Sequence, residues 1–197
     1  MKILVVYCHP RRDSFNFALK ETVVQRLESS GHEVSVADLY AEGFQPAMTV
    51  EDFAQFERKP MPDEILSEQQ RVEWADGIIF IFPLWWWSLP AMLKGWIDRV
   101  MCYGWAWEDP MDPHSGSLSE RKILALMTAG ASRAQLAKRD YDKAFHTQVE
   151  VGIWDYCGFR DYRLRVFDQI NGNETPEQMK RYLQEAEQLC VETFQPL

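Results

Sequence analysis

A doubly wound α/β fold, with a parallel sheet between two layers of helices, is what these 197 residues predict. Three observations carry that expectation. Lys2–Tyr7 (K-I-L-V-V-Y) and Gly77–Phe82 (G-I-I-F-I-F) are continuous apolar runs, the pattern of strands covered on both faces. Helical spacing follows the first run, with Phe15, Leu19, Val23 and Leu27 on one side. Strand-like and helix-like segments then alternate along the chain, which implies parallel pairing through crossovers.

The elements follow in order. Lys2–Tyr7 is the first strand, and Phe15–Ser30 is a helix stopped by Gly31. Glu33–Leu39 (E-V-S-V-A-D-L) alternates and suits a strand at or near a sheet edge. Tyr40–Arg71 interrupts the pattern with Pro46, Pro60 and Pro62; inside it, Thr49-Val50-Glu51-Asp52 resembles a capping box opening a short helix. Asp63–Trp74 reads as a helix, Gly77–Phe82 as a buried strand and Leu89–Met101 as a helix. Lys122–Met127 (K-I-L-A-L-M) is a fourth strand and Arg163–Phe167 a short fifth. Thr175 caps a final helix, with Pro176 in its first position and Gln178 three residues on. Five strands fit the flavodoxin-like order 2-1-3-4-5, a three-layer sandwich with its ligand beyond the carboxyl ends of the strands. No repeat, low-complexity tract or linker divides residues 1–197, so a single domain is expected.

With 21 Lys+Arg against 30 Asp+Glu the formal charge is −9, which argues against nucleic acid as a partner. Hydrophobic residues at 46% and charged residues at 26% argue against disorder. No run approaches the ~18 apolar residues of a membrane span. The apolar start is too short for a signal-peptide core, so a soluble, cytoplasmic protein is expected. Cys8, Cys102, Cys157 and Cys190 lie far apart without metal-ligand or redox-dithiol spacing, and read as small buried hydrophobes.

Three loops should leave the carboxyl ends of strands one, three and four and converge on a ligand: His9–Asn16, Pro83–Pro90 and Thr128–Ser132. In the first, Ser14, Asn16 and the free amides of a helix start, beside His9 and Arg11-Arg12, suit phosphate; a helix cap from Ser14 or Asp13 accounts for them equally well. Neither G-x-G-x-x-G nor G-x-x-x-x-G-K-[ST] is present. In the second, Trp85, Trp86 and Trp87 stand consecutively between two prolines. Neighbouring rings point in different directions, so part of this run faces a planar ligand or a partner subunit rather than the core. The third loop, T-A-G-A-S, sets Thr128, Gly130 and small-residue amides where a polar-edged ring could approach, and also reads as an ordinary strand exit. Phosphate, aromatic clamp and amide donors together describe a flavin site, where an organic cofactor carries the redox chemistry.

At these residues the chain resembles the flavodoxin-like NAD(P)H:quinone oxidoreductase family. H-P-R-R-D-S-F-N-F-A-L resembles its flavin phosphate loop through His9, Ser14, Phe15, Asn16 and Ala18. Phe82 to Val100 resembles its block F-P-L-x-W-x-x-x-P-A-x-L-K-G-W-x-[DE]-R-V. The resemblance implies a homodimer with flavin sites at the interface, and ping-pong hydride transfer from NAD(P)H through flavin N5 to a quinone. It implies that Pro83, Leu84, Trp85, Trp86 and Trp87 line the isoalloxazine, and that Thr128, Ala129 and Gly130 offer donors near its polar edge. FAD is favoured over FMN, since the F-N-F-A loop resembles the FAD-using branch.

Two departures reshape the expected site. Larger family members have T-T-G-G with a downstream Tyr and His; here T-A-G-A stands without a Tyr at that spacing, Tyr141 and His146 being nearest. Trp105-Ala106-Trp107 replaces F-A-Y, and Asp98 reads equally as a site acid or a helix-surface ion-pair partner. No catalytic side chain or metal ligand is assigned. Azo- or nitro-compound reduction, and a flavin-binding regulatory subunit of a membrane potassium-efflux system, are the alternative roles the family offers.

Overall fold

The computed structural model describes residues 1–109, 111–112, 116, 118 and 120–195. Five strands, β1 (Lys2–Tyr7), β2 (Glu33–Asp38), β3 (Gly77–Pro83), β4 (Lys122–Thr128) and β5 (Asp161–Phe167), pair in parallel in the order β2-β1-β3-β4-β5. The helices are α1 (Phe15–Ser29), α2 (Asp63–Trp74), α3 (Ala91–Val100), α4 (Arg133–Lys138), α5 (Tyr141–Phe145) and α6 (Pro176–Thr193). A 3-10 helix (Glu51–Glu57) precedes α2 and a π-helical stretch (His146–Asp155) precedes β5.

Alternate side chains of the central strands enter two cores. Leu4, Val6, Ile78, Phe80 and Ala125 pack with α2, α3 and Trp154; Ile3, Val5, Ile79, Ile81 and Leu126 pack with α1 and α6. This is why β1 and β3 read as unbroken apolar runs: both faces are covered. β2 lies at the edge, where alternation suffices. All four cysteines are free and buried, and burial pushes the thiols of Cys8, Cys157 and Cys190 up to about 12.

Several boundaries differ from the sequence expectation. Pro90 caps α3 in an extended conformation, so Leu89 and Met101 fall outside the helix. β3 runs on to Pro83, which pairs with Thr128. The Thr175 side chain accepts from the Gln178 amide at 3.1 Å; the reciprocal capping box instead forms at Ser132 and Gln135. The segment between β4 and β5, helix-like in sequence around Tyr141 and His146, holds α4, α5 and the π-helical stretch.

The proline-rich insertion is docked by α3. Gly95 lies so close to Pro46 that a Cβ there would stand 2.1 Å from the Pro46 carbonyl oxygen. One turn on, Arg99 is 1% exposed and donates to both Asp52 carboxylate oxygens, at 2.8 and 3.1 Å, and to the Gln45 carbonyl at 2.7 Å. Trp96 donates to the buried Glu68 carboxylate at 2.8 Å. Asp98 points outward and pairs with Lys94 on the helix surface. Much of the L-K-G-W-I-D-R-V block therefore serves architecture, which spacing alone does not reveal. Among the described residues no helix is long and apolar enough to cross a membrane.

Candidate functional site

The three loops meet at the carboxyl edge of the sheet. Leu84 donates its amide to the Thr128 carbonyl at 2.7 Å, tying the second loop to the end of β4. Asn16, 3% exposed, donates Nδ2 to the Thr128 hydroxyl at 2.8 Å and so ties the first loop to the same residue. The His9 and Trp85 rings lie 6.0 Å apart, joining the first loop to the second.

In the first loop Ser14 caps α1, accepting from the Phe17 amide at 3.2 Å while donating to the Arg11 carbonyl at 2.8 Å. Its hydroxyl is spent on that turn. What remains for an anion is the pair of first-turn amides at Phe15 and Asn16, which have no partner within the helix. His9 stands beside them, its Nδ1 3.2 Å from the Arg11 amide and 3.3 Å from the Arg11 carbonyl oxygen, so the Arg11 backbone holds the ring in either neutral tautomer. Burial lowers the His9 pKa from its ordinary value, favouring the neutral form. Arg11 is engaged with Asp13 through two hydrogen bonds. The Phe15 ring packs on Phe167 and Tyr182, so it belongs to the core, and the Ala18 amide donates to the Ser14 carbonyl at 3.2 Å, leaving only its methyl group to line a ligand.

The second loop is a tight turn closed by a Trp85–Ser88 bridge, with both central residues left-handed: Trp86 at φ 50 and Trp87 at φ 63. That geometry ordinarily takes Asn or Gly, and each non-glycine residue held there costs roughly 1–2 kcal/mol. Trp85 is 42% exposed and Trp86 91% exposed, so the strained turn presents its rings outward; Pro83 is buried and Leu84 partly so. Trp87 stacks on Tyr141, with ring centroids 4.3 Å apart and planes 6° from parallel. His146 is instead an exposed residue paired with Glu150 at 3.2 Å.

In the third loop Ala129 does not act as expected. The Ala129 amide donates to the Phe167 carbonyl at 3.0 Å and offers nothing to a ligand, whereas the Gly130 amide has no partner among the described residues. Gly130 keeps the free amide of this loop, because the strand register already consumes that of Ala129. Asn16 Oδ1 is buried without a partner, an orphan acceptor in the same cleft. A cavity of about 510 Å³ lined by Met1, Glu73, Asp76 and Lys122 lies at the opposite end of the strands, away from these loops.

A 2-1-3-4-5 parallel sheet whose first, third and fourth strands send loops to one edge defines a flavodoxin-like protein, a class of fold whose ligands sit at the switch point. A family model described as flavodoxin-like fold matches residues 1–190, and the chain belongs to that family, in its NAD(P)H:quinone oxidoreductase group. Among its relatives, the ribosyldihydronicotinamide dehydrogenase [quinone] of Rattus norvegicus is 34% identical over 179 residues, covering 81% of this chain and 78% of the relative. The solved NAD(P)H:quinone oxidoreductase from Methanothermobacter marburgensis superposes with a TM-score of 0.86 at 26% identity, covering 96% and 97% of the two chains. An FMN-dependent NADH-azoreductase from Bacillus anthracis, solved with FMN, shares the fold at a TM-score of 0.75 and 14% identity over 98% and 99%.

Proposed function

We propose that this protein is a flavin-dependent NAD(P)H:quinone oxidoreductase working by two-electron, ping-pong hydride transfer. The observation that carries the reading is the convergence of three differently equipped loops on one cleft, with the strained, outward-facing Trp85–Trp87 turn at its centre. The residues fit the group. Two free first-turn amides, with the His9 ring beside them, suit a phosphate, the Trp85–Trp87 turn suits a flat ring, and the Gly130 amide and the orphan Asn16 Oδ1 suit polar ring edges. The names of the relatives, quinone dehydrogenases and a quinone oxidoreductase, support the acceptor class.

When bound, a flavin supplies a site that takes a hydride from a nicotinamide and passes it to an acceptor. The chain's residues do the rest. The α1 amides would hold a phosphate, with the neutral His9 ring beside it. The Gly130 amide would offer a preorganised donor to a polar ring edge. The tryptophan turn removes water from one face. FAD is the proposed flavin, on the Phe15–Ala18 version of the phosphate loop.

A homodimer completes the reading. Met48, Val50, Phe53 and Phe56 form an exposed apolar strip, and next to it Ile97, Met101, Trp107 and Tyr156 line a cavity of about 300 Å³. A second copy would cover both. The deciding experiment is the absorbance spectrum of the purified protein, then release and chromatography of its cofactor. Bound flavin bleached by NADPH and recoloured by a quinone supports the reading; a colourless protein that refuses added FMN and FAD removes it.

A further inference from the structure

Trp87 and Tyr141 come from different loops, 54 positions apart, yet form the tightest parallel ring pair among the described residues: 4.3 Å and 6°, where the others lie at 5.1 Å or more. A centroid distance that short leaves no room for a third ring between them. Both partners sit on restrained backbone, Trp87 itself at φ 63 and Tyr141 directly after Asp140 at φ 55. Asp140 places no side-chain cap on α5, which is only five residues long. The Tyr141 hydroxyl has no hydrogen-bond partner among the described residues, so stacking is its specific attachment. The other anchors of this segment, Leu136 and Phe145, are buried on either side of it.

We propose that Tyr141 is a specificity-determining residue: a latch stacked on the Trp87 face that an aromatic acceptor must use, so that the acceptor enters by displacing it. This rests on the proposed flavin site, because it takes the Trp85–Trp87 turn as a wall shared by the flavin ring and, at Trp87, the acceptor beside it. The latch follows from competition for one surface. Only the open fraction binds, so apparent affinity falls by that fraction. A stack of ordinary strength keeps the open form between roughly a third and a tenth of the population. One-ring acceptors need less of the Trp87 face than two-ring acceptors, so the latch discriminates by size.

The test is calorimetric titration of the full-length, flavin-loaded protein with 2-naphthol, a two-ring probe that takes no hydride. Tyr141→Ala should tighten binding by about three- to tenfold. Tyr141→Phe, which keeps the flat face and loses the hydroxyl, should match the parent. Tyr141→Leu, bulky without a flat face, should follow the alanine variant and stands in if that variant does not fold. In turnover, Tyr141→Ala should lower KM for a naphthoquinone more than for a benzoquinone, with kcat little changed. Equal naphthol affinity in parent and Ala variant overturns the latch, as does weaker binding, which would make Tyr141 a wall. A phenylalanine variant behaving like alanine overturns it too, since the hydroxyl would then be the active group. Flavin content, read separately by absorbance, keeps the two failures apart: a protein that takes no flavin fails the flavin site and the latch with it, whereas a flavin-loaded protein with equal naphthol affinities fails the latch alone.

Discussion

At Trp86 two requirements pull apart. The ring is 91% exposed and gains nothing from the core, while the backbone at φ 50 is one that a side chain resists. A residue kept there against local preference points to a ligand that repays it. Trp86→Gly should therefore stabilise the flavin-free protein by about 0.5–1 kcal/mol, the relief of strain less the extra freedom of the unfolded chain. The same substitution, and Trp86→Ala, should lower flavin stoichiometry in a folded protein; chemical denaturation and absorbance separate the two effects. Unchanged stoichiometry would detach Trp86 from the site. Asn16 makes the complementary case. Its buried bond to the Thr128 hydroxyl joins two loops, so Asn16→Ala should cost about 1–2 kcal/mol and also loosen flavin. That part of the three-ring run faces away from the core was legible in sequence. The left-handed turn beneath them was not, because nothing in W-W-W-S announces a geometry normally given to Asn and Gly.

Among elements, the Arg99 cluster decides how the insertion stays in place. Burial pushes the Asp52 carboxyl up, but hydrogen bonds from Arg99 and the Thr49 amide outweigh it, so its pKa lies below the ordinary carboxylate value. A carboxyl depressed in the folded state stabilises above its unfolded pKa of about 3.9 and loses that contribution as pH falls through the folded value. Docking of residues 45–57 should thus hold at neutral pH and weaken below about pH 4, which hydrogen exchange across this segment would register. Arg99→Met leaves Asp52 buried without its cation and should cost about 3–5 kcal/mol; a loss below 1 kcal/mol in urea unfolding would contradict the clamp. Strands were legible because burial on both faces writes an unbroken apolar run, as in Gly77–Phe82. Arg99 was not, since one cation on an amphipathic helix looks the same whether it meets water or a buried carboxylate. Helices α4 and α5, six and five residues long, are too short to show a period.

For the whole molecule, cofactor binding and folding are linked. The candidate cleft is assembled from three loops whose relative positions depend on the β1, β3 and β4 register, so a ligand there binds the folded chain and not the unfolded one. Free flavin at a hundred times its dissociation constant should add about 2.7 kcal/mol of stability, and for a domain of this size that raises Tm by roughly 5–10 °C. The flavins differ in what they can reach. FMN offers a single phosphate to the α1 amides and His9, while FAD adds an adenylate that must find further surface beyond α1. A melting series with FMN and FAD at matched concentration should shift Tm more with FAD if the proposed cofactor is right. Equal shifts would place all the binding free energy in the half that the flavins share, and a larger shift with FMN would reverse the cofactor assignment while leaving the cleft in place. No shift with either, in a protein whose Trp86→Gly variant is more stable than the parent, would leave the strained turn without the ligand that its geometry implies.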